Sequence, residues 1–238
     1  MTVELTFSVR GRTAIVTGGL RGIGRAIVDA LAAGGAVVHV LDVAADADVP
    51  GAAVHAVNVA DPAAVDAAVA RIGRVDLLVN NAGITRDRSI VKMTDADWRA
   101  VLDVNLTGAF NLVRAVAPGM TAAGFGRIVN VVSINGLRGK FGQANYAASK
   151  AGVVALTKTA AREFGRKGVT VNAVAPGMVL TEMTRALAED VRQKALDESV
   201  LGRLPEADDI AAAVLFLLSD QAGTVTGQVL QVDAGQYI

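Results

Sequence analysis

The chain has 238 residues, 23 basic against 23 acidic side chains and 52% hydrophobic residues, chiefly Ala, Val, Leu and Ile. That length suits one large α/β domain with a sizeable core, and the balanced, interspersed charge offers no basic surface for nucleic acid. Cysteine is absent, which excludes disulfides and thiolate chemistry. No uninterrupted apolar run reaches the roughly 18 residues of a membrane span. The start, MTVELTFSVRGRTAIV, lacks the basic leader and apolar stretch of a secretory signal. A cytoplasmic protein without a membrane partner is expected.

Along the chain, β-branched apolar runs alternate with helical periodicity. TAIVTG (13–18) reads as a strand that turns on glycine. GIGRAIVDALAAGG (22–35) reads as a helix stopped by Gly34 and Gly35. Strands follow at 36–42 and 52–59, then a helix at 61–73 with Pro62 in its first turn, where its missing N–H costs nothing. A strand at 75–83 leads to a long helix at 94–116, capped by Thr94. A strand at 126–133, a long helix at 145–165 and a strand at 169–177 come next. Residues 178–206 are irregular and partly helical. A helix at 208–220 and a strand at 227–233 close the chain. Continuously apolar strands separated by helices imply a parallel sheet covered on both faces. With right-handed crossovers the prediction is α/β, a Rossmann-type doubly wound sheet of about seven strands. No linker or repeat interrupts it, so 1–238 reads as a single domain. The segment 178–206 follows a strand's carboxyl end and is placed to act as a substrate lid. His39 and His55 sit singly in predicted strands, and no metal-ligand cluster is apparent.

TGGLRGIG, Thr17 to Gly24, follows the first strand and opens the first helix, the context a phosphate-binding glycine turn requires. Gly18 allows the turn, Gly22 close backbone approach, and Gly24 helix–sheet packing. The helix N-terminus offers free N–H groups and a positive dipole end to a pyrophosphate. Leu20, Arg21 and Ile23 join the glycines as candidate cofactor contacts. Asp42 ends the second strand, where a carboxylate accepts from ribose hydroxyls and repels a 2′-phosphate. That favours NAD; Arg21, which could pair with a phosphate, argues for NADP. NAD is the cofactor expected, with NADP the alternative and no metal. Tyr146 and Lys150, in QANYAASKAG, are four apart on one helical face, a candidate acid–base pair because a nearby ammonium favours a phenolate.

TGGLRGIG, NNAG (80–83), VNLTG (104–108), the strand ending at Ser133, YAASK (146–150) and APG (175–177) occur in that order. Together they resemble the short-chain dehydrogenase/reductase family over essentially the whole chain. The segments GKFGQANYAASKAG and NAVAPGMVLTEMTRAL are most similar to its 3-oxoacyl-acyl-carrier-protein and acetoacetyl-CoA reductases. The resemblance implies Tyr146 as general acid–base, and Lys150 lowering its pKa and holding the nicotinamide ribose. Ser133 would bond the substrate oxygen, and Asn105 would hold a helix kink and a relay water. It also implies Asn81, Ala82 and Gly83 lining the cofactor, Pro176, Gly177, Val179 and Thr181 facing the nicotinamide, and a homotetramer built on the two long helices and last strand. Asn58 stands where many members have Asp; it and the Val59 backbone are adenine-side candidates. The short segment after Asp42 is expected to lack the usual crossover helix. Ser133, Ile134, Asn135, Gln143, Tyr146 and Leu180 are candidate substrate contacts.

The expected function is NAD(H)-dependent interconversion of a secondary alcohol and a ketone, most like a 3-hydroxyacyl/3-oxoacyl thioester. A small alicyclic or aromatic secondary alcohol is the alternative substrate. A non-catalytic dinucleotide-binding protein is the reading from another class; the intact Asn105, Ser133, Tyr146 and Lys150 set argues against it.

Overall fold

The computed structural model describes residues 8–44, 48–186 and 188–238. The elements are β1 (Thr13–Thr17), α1 (Gly22–Ala33), β2 (Val37–Asp42), β3 (Ala52–Ala56), α2 (Pro62–Ile72) and β4 (Leu77–Asn80). They continue with α3 (Asp95–Leu102), α4 (Gly108–Ala123), β5 (Gly126–Val131), α5 (Asn135–Arg138), α6 (Ala144–Phe164) and β6 (Val169–Pro176). Last come α7 (Glu182–Arg185), α8 (Glu189–Asp197), α9 (Ala207–Leu218) and β7 (Val229–Val232). The seven strands form one sheet in the order β3-β2-β1-β4-β5-β6-β7, and every neighbouring pair is parallel. This is the doubly wound sheet expected, with its order reversing between β1 and β4.

The apolar strands explain the layers. β4, β5 and β6 are buried at every position. Along β1, Ala14 and Val16 face one apolar cluster and Ile15 the other, as strand alternation dictates. On the first face, Ile27, Val28 and Leu31 of α1 meet Ile210, Val214 and Leu217 of α9. On the second, Val65 of α2 and Leu112, Val116 and Met120 of α4 cover Leu78 and Ile128. Each such side chain contributes about 1.5–3 kcal/mol on burial. Capping fixes the helix starts: the Asp61 carboxylate accepts from Ala63 and Ala64 ahead of Pro62, and Thr94 accepts from Asp97. One such cap is worth about 1 kcal/mol.

Three local departures bear on the site. The helix expected over 94–116 is interrupted by a π-turn at Asp103–Thr107 and then runs on to Ala123. By length and composition Asp95–Ala123 could cross a membrane, but half of its apolar window is buried inside the fold, where it serves as core. Strands end sooner than hydropathy suggests, so Asn58, Val59 and Asn81–Gly83 lie in loops past the carboxyl ends of β3 and β4. A short helix, α5, follows Ser133 where none was expected. Residues 178–206 form α7 and α8 and return through a bridge between Leu180 and Glu206; residue 187 lies outside the described residues. Between β2 and β3 the described residues contain no helix; 45–47 of that connection also lie outside them.

Candidate active site

The glycine turn after β1 is built for close approach. Gly18 and Gly22 adopt φ of 65° and 56°, conformations that strain any residue with a Cβ. A methyl on Gly24 would meet the Gly18 carbonyl at 2.1 Å. α1 then begins without a side-chain cap and without an acidic residue in its first turn, so its leading N–H groups remain available for an anion. Thr181, N-cap of α7, lies just above: its methyl would be 3.6 Å from a Cβ on Gly22. These residues fit a dinucleotide's pyrophosphate. Leu20 is half-buried against α1's core, while Arg21 is exposed and Ile23 packs on the core edge.

What holds this turn is a threonine. Thr17 Oγ1 accepts from the backbone N–H groups of Asn81 and Ala82, both at 3.0 Å, and the Asn81 amide donates to the Thr17 and Gly18 carbonyls at 3.0 and 2.9 Å. Asn81 therefore staples the ends of β1 and β4 together, and its side chain is spent on protein. The part of the Asn81–Ala82–Gly83 loop left to face a ligand is Gly83, exposed and without a side chain. At the expected adenosine side, Asp42 closes β2. Among the described residues its carboxylate receives the Ala44 N–H at 3.4 Å, with no cation paired to it. Asn58 is exposed and its Oδ1 accepts from Ala60 at 3.1 Å. The Val59 carbonyl is taken by the buried Asn111 amide at 3.0 Å, so Val59 has its backbone N–H rather than its carbonyl to offer.

Asn105, Ser133, Tyr146 and Lys150 converge from the π-turn, the end of β5 and the first turns of α6. Asn105 is 2% exposed; it donates to the Ile84 carbonyl at 3.0 Å and Ser149 Oγ at 3.1 Å, and accepts from Ile84 N–H at 2.8 Å. Because a π-turn widens the backbone, it is a common device at functional sites. Lys150 is 4% exposed and donates to the Val131 carbonyl at 2.8 Å. Burial pushes its ammonium down to about 8. Lys150 and Asn105 line a small cavity of about 10 Å³ together with Thr17, Asn80 and Val131. It is the size of one water.

Tyr146 departs from the expectation. Its phenol is raised above its ordinary value, first by burial; the Ser133 hydrogen bond opposes this, and the Asp87 carboxylate reinforces it. The Lys150 nitrogen stands 5.7 Å from the phenol ring's centre, committed to Val131. Burial is the largest influence on the phenol, and among the protein's own groups the neutral form is favoured.

Other expected contacts separate. Pro176 and Val179 are buried, their carbonyls held by Ile134 N–H and Thr184 Oγ1; Gly177 is half-buried. Asn135 donates its backbone N–H to Ser133 Oγ and its amide to Gln143, whereas Ile134 is 2% exposed and belongs to the core. Leu180 lines a cavity of about 380 Å³ with Leu196 and Leu204. Sequence reasoning missed Thr17, Asn111, Asn145 and Ser149. Asn145 is fully buried and ties α6 to the carbonyls of Arg86 and Asp97. Their polarity inside apolar segments was the available signal. His39 and His55, isolated in sequence, face each other across β2 and β3 with ring nitrogens 3.0 Å apart. Among the described residues no group of three or more His, Cys, Asp or Glu could hold a metal.

Comparisons with known proteins agree with this geometry. A family model described as enoyl-(acyl carrier protein) reductase, a branch of the short-chain dehydrogenases, matches residues 18–236. The chain is 45% identical to the 3-oxoacyl-[acyl-carrier-protein] reductase of Escherichia coli, covering 96% of this chain and 98% of the relative. It is 46% identical to the acetoacetyl-CoA reductase of Shinella zoogloeoides, covering 95% and 98%. A crystal structure provisionally named gluconate dehydrogenase, from Agrobacterium tumefaciens, superposes with a TM-score of 0.91 at 31% identity over 98% of both chains.

Proposed function

The chain belongs to the short-chain dehydrogenase/reductase family and is an oxidoreductase that binds a nicotinamide dinucleotide; on that premise we propose that it uses NAD(H) to interconvert a 3-oxoacyl and a 3-hydroxyacyl thioester. The observation that carries the reading is the convergence of buried Ser133, Lys150 and Asn105 on the half-buried Tyr146 beside the glycine turn. When bound, the nicotinamide would exchange a hydride with the substrate carbon. The protein handles the proton. Tyr146, neutral at physiological pH, gives its proton to the carbonyl oxygen as that oxygen gains charge, and in reverse takes it back. Ser133 Oγ accepts from the Asn135 N–H at 3.1 Å, which leaves its own hydrogen for the phenol or the substrate oxygen. Lys150, fixed on Val131, is placed to hold the nicotinamide ribose, and the one-water cavity beside Asn105 supports a route for proton resupply.

Thioester substrates are supported by the two relatives at 45% and 46% identity, whose names state 3-oxoacyl and acetoacetyl groups. NAD(H) is supported by Asp42, whose carboxylate has no cation partner among the described residues to admit a 2′-phosphate. A small secondary alcohol is the second reading, favoured by that same preference and by the likeness to the gluconate dehydrogenase named above. In our reading residues 178–206 are the substrate lid, the chain acts as one domain in the cytoplasm, and it assembles as a homotetramer. The test is a panel of acyl thioesters and secondary alcohols, each with NAD(H) and NADP(H). The highest kcat/KM is expected for a short 3-oxoacyl thioester with NADH. An NADP(H) preference of about tenfold, equivalent to about 1.4 kcal/mol, would overturn the Asp42 argument.

A further inference from the structure

Asp87, on the loop after β4, ends a hydrogen-bonded chain that begins at Ser133. Its Oδ2 accepts from the Gln143 amide nitrogen at 2.8 Å. Gln143 Oε1 accepts from the Asn135 amide nitrogen at 3.1 Å, and Asn135 Oδ1 accepts from Arg138 Nε at 3.3 Å. The Asn135 backbone N–H reaches Ser133 Oγ. A carboxylate only accepts and a guanidinium only donates. Two amides strung between them therefore have one orientation: each turns its NH₂ toward Asp87 and its carbonyl toward Arg138. Gln143 is 7% exposed and immediately precedes α6, three residues before Tyr146. The loop itself is docked there, since the Arg88 N–H donates to the Gly142 carbonyl at 2.8 Å.

We propose that Asp87 is a positioning residue for the reductive direction: anchored on Gln143, it fixes the amides of the cleft wall behind Ser133 and keeps a negative charge beside Tyr146, so that the phenol remains a proton donor. This rests on the assignment of Tyr146 as the acid–base. Among the surrounding charges, Arg138 is paired with Glu198 and Arg88 with Asp97, Arg86 is exposed like Asp87 itself, and the Lys150 ammonium, 5.7 Å from the ring centre, is the charge that opposes it. The raised phenol, to which Asp87 contributes after burial, agrees with this arrangement.

The chain has only two tyrosines, Tyr146 and Tyr237. In a Tyr237→Phe background the near-ultraviolet absorbance of tyrosinate reports Tyr146 alone, without substrate or turnover, and circular dichroism checks that the protein stays folded across the titration. Asp87→Asn keeps an acceptor toward Gln143 and removes the charge. It is expected to raise the ionisation constant of Tyr146 about threefold or more, with Asp87→Glu restoring the original titration. The rising limb of the oxidative pH–rate profile should move to lower pH by the same factor. Superimposable titrations of the background protein and its Asp87→Asn variant, or an equal shift in Asp87→Glu, would overturn the proposal. Turnover by Tyr146→Phe tests the underlying assignment separately: activity there removes the acid–base reading even where the titration moves, and an inactive Tyr146→Phe with an unmoved titration removes Asp87's role alone.

Discussion

Lys150 occupies a place where solvent would ordinarily be required. An ammonium 4% exposed, with a backbone carbonyl as its fixed partner, is expensive to keep charged, which is why its ionisation falls to about 8. The sign follows: between about 8 and the unfolded lysine's value the unfolded chain holds the proton more tightly, so Lys150's penalty is full below pH 8 and disappears as the pH rises. Replacing it with methionine should lower turnover by at least about a hundredfold while leaving the thermal midpoint at neutral pH unchanged or higher by a few degrees. A clear loss of melting temperature would show that the site is part of the scaffold instead. For Tyr146→Phe, the volume is conserved and the ionisable oxygen is lost. Turnover should drop by about two orders of magnitude or more, with dinucleotide affinity, measured by calorimetry, within about threefold of the parent. Thr17→Val removes the acceptor for two N–H groups behind the glycine turn. A destabilisation of about 1–3 kcal/mol in urea unfolding is expected, together with weaker dinucleotide binding.

Elements, rather than single residues, determine what each segment presents to the cleft. The turn between β1 and α1 is close enough to the end of β4 that a methyl at Gly24 has no room, because the Gly18 carbonyl and the Asn81 amide already occupy it. Gly24→Ala should therefore reduce dinucleotide affinity by at least about tenfold; unchanged binding would mean the turn moves freely. The β2–β3 pairing has its own signature. Parallel register sets Leu41 against His55 and puts His39 on the same face, where the two imidazoles hydrogen-bond. Burial depresses both; His39 is lowered further by His55, and His55 by Arg71 of α2. A lowered folded value means that the unfolded chain binds protons first, so stability is lost as pH falls through about 6.5 and below. His55→Gln should melt with a smaller drop between neutral and mildly acidic pH than the parent. A parallel drop in both proteins would count against the pair. The helix over 95–123 teaches a related lesson: its hydropathy runs unbroken, and nothing in that pattern marks the π-turn that aims Asn105 at Ile84 and Ser149.

At the scale of the whole molecule, the cleft forms where the strand order reverses, so the glycine turn after β1 and the Asn81–Gly83 loop after β4 open on the same side. The proposed tetramer would be built on the ends of the sheet and the outer helices. β7 is an edge strand with Leu230 38% exposed, and α4 carries Phe110 44% exposed beneath the Arg114 guanidinium. Patches of this kind suit a partner subunit. Light scattering should return four times the chain mass of 24.3 kDa, and Phe110→Glu should reduce it. A monomer in the parent protein would remove the tetramer.

By itself, the sequence determined the period of burial and the residue types at the chain's punctuation points. Alternating apolar strands and helices dictate a parallel, two-faced sheet, and glycines at 18, 22 and 24 dictate a turn that a phosphate can approach, because both are consequences of local geometry. YAASK likewise placed Tyr146 and Lys150 on one face before any contact was known. Tertiary structure alone decided which polar groups meet across long separations. Thr17 finds Asn81 over 64 residues, Asn105 finds Ser149 over 44, and Asp87 finds Gln143 over 56. It also decided the surroundings of Tyr146, where burial acts against the ammonium that the helical spacing supplies. Desolvation depends on everything packed around a group, whereas a helical spacing reports only one neighbour.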